Sequence, residues 1–312
     1  MRYNSPENWQ HASHIDSLTI KQVRQLTNSC YLWYLSHQVN YTMKFLQRLY
    51  KIMSPTLNKK TVYVYNGEGC GETSLSMLME SLTSSLDTRV HDVQMISAKS
   101  IIEGSWTKDA AAICFGGGYD LGFIRSLGKL GVKTIQDYVY QGGSYLGICA
   151  GAYFACDAVA FDKGGPMEVV GERHLKFFHG SCEGPCYPGF KYNSEIGAKP
   201  ALVNFVETKT TFPVYYNGGG ACFQYENADP VKHPKSKILA HFEELNNKPI
   251  AVVKNEVGLG RSVLSNVHLE FNPHLLDERN EYLSQFLDAL KDHEEKRKRY
   301  FVYILTHLNL SV

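Results

Sequence analysis

This sequence of 312 residues has little excess of charge of either sign. It contains 32 Lys and Arg against 31 Asp and Glu, and its formal net charge is +1. Such a chain has no long-range field to attract nucleic acid or an anionic membrane surface. Apolar runs are also short, and none approaches the length of about eighteen residues that a membrane-spanning helix needs. We therefore expect neither nucleic acid nor a membrane among the partners of the protein.

A secretory signature is missing as well. Residues 1–6 contain no apolar signal-peptide region, and the eight cysteines are scattered rather than spaced as a disulfide scaffold. These absences predict a reducing, cytoplasmic compartment. A mitochondrial presequence is the alternative, because residues 41–51 place basic side chains among apolar ones in the manner of an amphipathic helix.

Hydrophobic residues make up 44% of the chain, which is enough for one sizeable core. Residues 1–60 show little glycine and no sheet pattern, so we interpret them as a poorly ordered N-terminal appendage. Residues 61–312 are then expected to form a single domain.

The glycine-rich stretch at residues 66–71 lacks the Gly-Lys-Ser/Thr of a phosphate-binding loop, and we expect no nucleotide or other cofactor.

Strand-like and helix-like segments alternate in the first part of this domain. Residues 61–65, 90–96 and 110–115 are β-rich, whereas 73–86 and 127–141 have helical patterns. This alternation predicts an α/β fold with a doubly wound, mostly parallel sheet. Short β-like runs between residues 168 and 253 predict an antiparallel β extension, and the apolar stripe from residue 281 onward predicts a C-terminal helical segment.

A cysteine lies at the turn of a strand-turn-helix segment, residues 144–156. Gly147 and Gly151 flank Cys149 at i−2 and i+2, and their missing side chains let the neighbouring backbone pack closely in a sharp turn. At a helix N-terminus, the unpaired N–H groups and the helix dipole stabilise a thiolate. The pattern predicts that Cys149 is a nucleophile.

A base and an orienting group follow in the pattern His268-x-Glu270. If residues 261–271 form a strand, both side chains point to the same face of it. The glycines that end the apolar run 113–118 add a loop whose N–H groups are free to face an oxyanion. The competing interpretation is a buried structural thiol, a core histidine and a surface carboxylate, and the agreement of the three motifs favours a catalytic site.

These motifs, in this order, resemble the class I glutamine amidotransferase-like superfamily. Within it the sequence is most similar to the N-terminal domain of eukaryotic biotin-protein ligases and to stand-alone proteins with that domain, through residues 141–154, 178–185 and 215–220. The resemblance implies a flavodoxin-like fold. It also implies Cys149 as nucleophile, His268 as base and Glu270 as its orienting group, with an oxyanion hole formed by the N–H of Ala150 and of Gly117 or Gly118.

Two residues depart from the superfamily pattern. Tyr153 stands where glutaminases have a substrate-binding glutamine, and Leu269 stands between His268 and Glu270 where they have proline. The expected substrate is therefore a small amide or related acyl compound and not necessarily glutamine. We place the substrate pocket at Tyr153, Asn217, Gly218 and Gly219, with a plain hairpin turn at residues 217–220 as the alternative.

The sequence contains no G-R-G-R-x-G loop and no K-W-P-N-D segment, so we do not expect the chain to act as a biotin ligase alone. A separate ligase or synthase chain is the expected protein partner. The alternative function is a non-catalytic regulatory or metabolite-binding module of a biotin-protein ligase system.

Two further clusters have unremarkable interpretations. His174, His179, Cys182 and Cys186 read H-x4-H-x2-C-x3-C, a poor match to zinc-ligand spacing, so we predict no metal site there. The basic run at residues 296–299 follows two glutamates and is interpreted as a solvated helix face.

Overall fold

A computed structural model of the protein describes residues 59–227, 229 and 232–312. Residues 1–58 lie outside the described residues, and with them the presequence-like helix and all of the predicted appendage (residues 1–60) except its last two residues. All seven cysteines in the described part of the chain are free thiols.

The described residues contain thirteen strands in one sheet and six α-helices. The strands are β1 (Lys60–Tyr65), β2 (His91–Ile96), β3 (Ala110–Phe115), β4 (Ser144–Ile148), β5 (Cys156–Phe161), β6 (Val169–Glu172), β7 (Phe178–Gly184), β8 (Lys199–Phe205), β9 (Thr210–Tyr216), β10 (Ala221–Gln224), β11 (Lys235–Phe242), β12 (Ile250–Val257) and β13 (Gly260–Ser265). The helices are α1 (Glu72–Ser85), α2 (Ala98–Glu103), α3 (Asp120–Tyr140), α4 (Ala150–Ala155), α5 (Leu287–Lys291) and α6 (Glu294–Thr306). Among the described helices, none is both long enough and apolar enough to cross a membrane.

The centre of the sheet is parallel. Its strand order is β2-β1-β3-β4-β13, and every neighbouring pair in this stretch runs in the same direction. With β13 as the fifth strand, this is the 2-1-3-4-5 order of flavodoxin-like folds. The predicted fold class is confirmed.

The antiparallel extension is also confirmed. Strand β12 pairs antiparallel with β13 and leads to β10 and β7, while a branch from β12 continues through β11, β8 and β9. One pair within the extension, β5 with β7, is parallel.

Helices cover both faces of the sheet because its central strands are apolar on both sides. Val62 and Val64 of β1 pack in a cluster with Leu78 and Leu82 of α1. The alternate residue Tyr65 packs on the other face, where its ring stacks on Phe115 with centroids 4.7 Å apart. Burial on both faces is the expected pattern for parallel strands.

Two predicted helix boundaries are wrong. Helix α3 begins at Asp120, seven residues before the predicted start, and Gly128 interrupts it with a non-helical φ of 55°. The C-terminal helical segment begins at Leu287 rather than at residue 281. The side chain of Asn280 accepts hydrogen bonds from the N–H groups of Tyr282 and Leu283, a local turn that competes with helix formation.

Two leucines on α3 provide a test of the packing on the second face. Leu127 is 1% exposed and Leu130 is 70% exposed. Since Leu127→Ala removes buried methyl groups and leaves a cavity, we expect a loss of about 2–5 kcal/mol in the free energy of unfolding. Leu130→Ala, the matched control, should change it by less than about 0.5 kcal/mol. Denaturant unfolding measures both, and equal losses would contradict this packing.

Candidate functional site

Cys149 lies in a strained turn between β4 and α4. Its backbone has φ 51° and ψ −109°, a combination that residues other than glycine rarely adopt. Its N–H donates to the Ser265 carbonyl at 2.8 Å. A Cβ on Gly151 would lie 2.1 Å from the carbonyl oxygen of Phe115, and one on Gly147 would lie 2.4 Å from that of Gly151. Both flanking glycines are therefore required by close backbone contacts.

His268 and Glu270 meet behind this turn. The Nδ1 of His268 lies 2.7 Å from Oε1 of Glu270, and both side chains are buried. They do not lie on a strand, however, because β13 ends at Ser265. Its pairing with β4 ends opposite, at Ile148, where the chain turns into Cys149, and on its other side Asn266 makes one more bond, from its N–H to the Ala251 carbonyl of β12 at 2.9 Å. The two side chains are brought together by a turn instead.

The charge state of His268 depends on both neighbours. Burial of the ring lowers the pKa of His268, but the negative charge of Glu270, the hydrogen bond to its carboxylate and the neighbouring Cys149 sulfur together raise the pKa to about 10. The imidazolium form is consequently favoured at neutral pH. An imidazolium beside a sulfur is the arrangement that stabilises a thiolate.

Side chains that the sequence motifs do not include hold the His268 segment in place. The Ser81 hydroxyl donates to the Glu270 carbonyl at 2.6 Å, and the Arg297 guanidinium donates to the Leu269 carbonyl. Arg297 also pairs with Glu294 at 2.6 Å, and both side chains are buried. The prediction that residues 296–299 form a solvated face is therefore wrong for Arg297. This residue lies three, four and seven positions before Tyr300, Phe301 and Ile304, on the buried face of α6.

The glycine loop after β3 distinguishes between the two oxyanion candidates. The N–H of Gly117 donates to the Ser74 hydroxyl at 2.7 Å. Gly118 has φ 142°, and a Cβ there would lie 1.9 Å from the Gly69 carbonyl oxygen. The bonds between this loop and residues 69–71 use the N–H groups of Gly71 and Tyr119, not that of Gly118. The geometry favours Gly118 over Gly117 as a donor.

Ala150 occupies the first position of α4, immediately after Cys149. An N–H at this position of a helix has no carbonyl one turn earlier to bind. It therefore suits the second donor of the predicted oxyanion hole.

The segment between β9 and β10 forms a wall beside the thiol. The two strands do not pair with each other, so the hairpin alternative for residues 217–220 is wrong. The Sγ of Cys149 lies 3.8 Å from the Asn217 carbonyl oxygen, and Tyr153 donates its hydroxyl to the Gly218 carbonyl at 3.3 Å. Gly219 lies farther back, where a Cβ would be 1.9 Å from the Asn266 carbonyl oxygen.

A cavity of about 740 Å³ opens over Cys149. The residues predicted for the site that line it are Gly117, Gly118, Cys149, Ala150, Tyr153, Asn217, Gly218 and His268, whereas Glu270 and Gly219 do not line it. The N-termini of three helices, α1, α3 and α4, also reach the cavity. Their dipoles favour negative charge developing there.

The lining of the cavity also contains residues that the motifs did not predict. Phe161, Phe190 and Tyr192 form an aromatic wall in which the rings of Phe190 and Tyr192 have centroids 5.0 Å apart. Glu195 accepts a hydrogen bond from the Tyr215 hydroxyl, and it faces the same space. These residues are separated from the elbow by more than ten positions and carry no local sequence signal.

Comparisons with known proteins agree with the biotin-ligase resemblance. Residues 60–312 match the family described as "Biotin-protein ligase, N terminal". A biotin-protein ligase of Schizosaccharomyces pombe is 34% identical over 229 residues, which cover 70% of this chain. The chain belongs to the biotin-protein ligase N-terminal family.

A second relative in this comparison is an uncharacterized protein of Chlamydia muridarum, 30% identical over 219 residues, which cover 70% of this chain and 83% of that protein. The chain spans 35% of the length of the S. pombe ligase. Among solved structures, a cytoplasmic protein of Salmonella typhimurium LT2 has a TM-score of 0.43 at 13% identity, covering 80% of this chain and 99% of that one, a level that adds nothing to the assignment.

The histidines and cysteines of the H-x4-H-x2-C-x3-C run do not come together as a set. His179 binds Asp157 through Nδ1 at 2.7 Å and stacks on His233. Cys182 points into the sheet towards Cys156 and Cys222.

The raised pKa of His268 predicts how stability depends on pH. Because the folded-state pKa of about 10 exceeds the ordinary 6.5, the stabilisation is complete below about pH 6.5 and disappears as the pH rises through 10. Between these values wild type should lose up to about 5 kcal/mol more than His268→Gln. Denaturant unfolding at pH 6, 8 and 10 measures the difference, and parallel curves for the two proteins would contradict it.

Proposed function

We propose that the protein is a cysteine-dependent enzyme that cleaves or transfers the acyl group of a small amide through a thioester. The single observation that supports this most is the placement of Cys149 at a strained helix N-terminus, in one cavity with His268, whose ring is held by Glu270 at 2.7 Å. The order of the motifs resembles the class I glutamine amidotransferase-like superfamily, and this likeness supports the same chemistry.

In the proposed reaction the thiolate of Cys149 attacks the amide carbon, and the carbonyl oxygen becomes an oxyanion held by the N–H groups of Gly118 and Ala150. Each well-placed donor of this kind contributes about 3–4 kcal/mol to transition-state stabilisation. The imidazolium of His268 then gives its proton to the departing amine, which leaves a thioester on Cys149. Neutral His268 next takes a proton from water, whose oxygen attacks the thioester and releases the acid.

The substrate we infer is an amide with an apolar or flat acyl portion. The aromatic wall of Phe161, Phe190 and Tyr192 lines the same cavity as the thiol. Tyr153 stands where the resemblance places a glutamine-binding residue, and its hydroxyl is engaged by the Gly218 carbonyl. Recognition of free glutamine is therefore not part of the proposal.

A second candidate function is a non-catalytic module that binds a metabolite or regulates a biotin-protein ligase. Membership in a family named for the ligase favours it, together with the Tyr153 departure. In this case the acceptor or ligase half is a separate chain. Affinity purification of the full chain would then recover that partner, and recovery should survive Cys149→Ala.

Alkylation rates discriminate between the two functions, because the cavity contains a second thiol, Cys70, with which the reactivity of Cys149 can be compared. Cys70 lines the same cavity and is more exposed than Cys149, and burial raises the pKa of the Cys70 thiol to about 11. If exposure governs reactivity, iodoacetamide labels Cys70 first. If Cys149 is an activated thiolate, Cys149 reacts at least about tenfold faster at pH 7.

Intact-mass spectrometry with peptide mapping measures these rates. The fast phase should persist in Cys70→Ala, slow down in His268→Ala and disappear in Cys149→Ala. Labelling of Cys70 or Cys186 ahead of Cys149 would favour the non-catalytic module.

Turnover provides the direct test. In a screen of primary and secondary carboxamides scored by amine release, Cys149→Ser and His268→Ala should each lower kcat/KM about a thousandfold or more, and Glu270→Gln about a hundredfold. Cys186→Ala, which alters a thiol outside the cavity lining, is the control and should retain activity. Undiminished turnover in Cys149→Ser would refute the mechanism.

A further inference from the structure

Three buried thiols meet inside the sheet, outside the cavity over Cys149. Cys156 begins β5, Cys182 lies within β7 and Cys222 lies within β10. Cys182 and Cys222 are direct partners across the antiparallel pair of β7 and β10. The three Sγ atoms all lie within 4.8 Å of one another, and each residue is at most 1% exposed.

This spacing suits three sulfurs bound to one ion. A thiolate binds Zn²⁺ at about 2.3 Å, so sulfurs that share an ion lie roughly 4 Å apart. Small rotamer adjustments bring thiols within 4.8 Å to that distance. Gly220 lets the Cys182 sulfur lie against the backbone, since a Cβ there would lie 2.6 Å from Sγ of Cys182.

A buried amide completes the cluster. Oδ1 of Asn266 lies 3.2 Å from Sγ of Cys182, and Nδ2 lies 3.3 Å from Sγ of Cys222. The amide presents an oxygen that is suited to a fourth ligand and an N–H that stabilises a neighbouring thiolate. Asn266 is fully buried, as are the three thiols.

We propose that Cys156, Cys182, Cys222 and Asn266 form a binding site for a thiophilic d¹⁰ cation, Zn²⁺ or Cu⁺. Soft thiolate ligands select these ions over Mg²⁺ or Ca²⁺. Binding releases the protons of the coordinating thiols to solvent, and no electron is transferred. Zn²⁺ uses the three sulfurs and the oxygen of Asn266 in a tetrahedral site, whereas Cu⁺ uses the three sulfurs alone.

The ion ties together the two chain segments that form the candidate site. Asn266 precedes His268 by two residues, and Cys156 follows directly on α4, the helix that begins after Cys149. The metal site is nevertheless independent of the proposed enzyme, because none of its four residues lines the cavity. Since the ligands are buried, we expect the ion to be loaded during folding.

The test is metal analysis of the full chain expressed in medium supplemented with zinc or with copper and purified under reducing conditions. Wild type should retain about one equivalent of one of the two metals through gel filtration. Cys222→Ser should lose it. Cys114→Ser is the matched control, because Cys114 is an equally buried free thiol of β3 outside the cluster, and this variant should retain the ion.

A measurement on wild type covers the case in which Cys222→Ser does not fold. X-ray absorption at the metal edge should show three sulfur ligands, at about 2.3 Å for zinc. Less than about a tenth of an equivalent in both media, retention of the ion by folded Cys222→Ser, a shell without sulfur, or a disulfide among the three cysteines would overturn the proposal. None of these outcomes depends on the reactivity of Cys149, so they are distinguishable from failure of the proposed enzyme.

Discussion

The parallel pairing of β4 with β13 is the constraint on which the candidate site depends. Ile148 lies opposite Ser265, the N–H of Cys149 continues this contact to the Ser265 carbonyl, and His268 follows three residues later. A slip of one residue moves a strand by about 3.3 Å. Such a shift would separate the thiol from the imidazole even if every local turn remained intact. The site is therefore a property of the sheet register as much as of its motifs.

Features that depend on residues close together in the chain could be predicted from the sequence. Features that depend on how distant strands and helices pair could not. The glycines around Cys149 and the strand-helix alternation gave the elbow and the parallel sheet, because each depends on neighbours in the chain. The preference for Gly118 over Gly117 as an oxyanion donor depends on Ser74, which lies on α1 and not in the glycine loop. The end of β13 before His268 depends on its pairing with β4, a strand far earlier in the chain, and with β12. The thiol cluster joins residues 26 and 40 positions apart along the chain, a spacing with no metal-site pattern.

Family membership constrains the fold and the site more than it constrains biological purpose. The chain matches the N-terminal part of biotin-protein ligases, and it spans 35% of the S. pombe enzyme. Its own cavity combines a thiol at a helix N-terminus, a charged histidine and an aromatic wall. The acyl chemistry proposed above rests on these features of the cavity rather than on the family name.

The contact between Arg297 and the Leu269 carbonyl has a consequence for the order in which the site is completed during synthesis. The ribosome produces Cys149 about 150 residues before α6, the helix that supplies Arg297. Until α6 emerges and packs, the His268 segment has no guanidinium to hold it. A partly synthesised chain that lacks α6 therefore contains Cys149 before all the contacts that hold the His268 segment are in place.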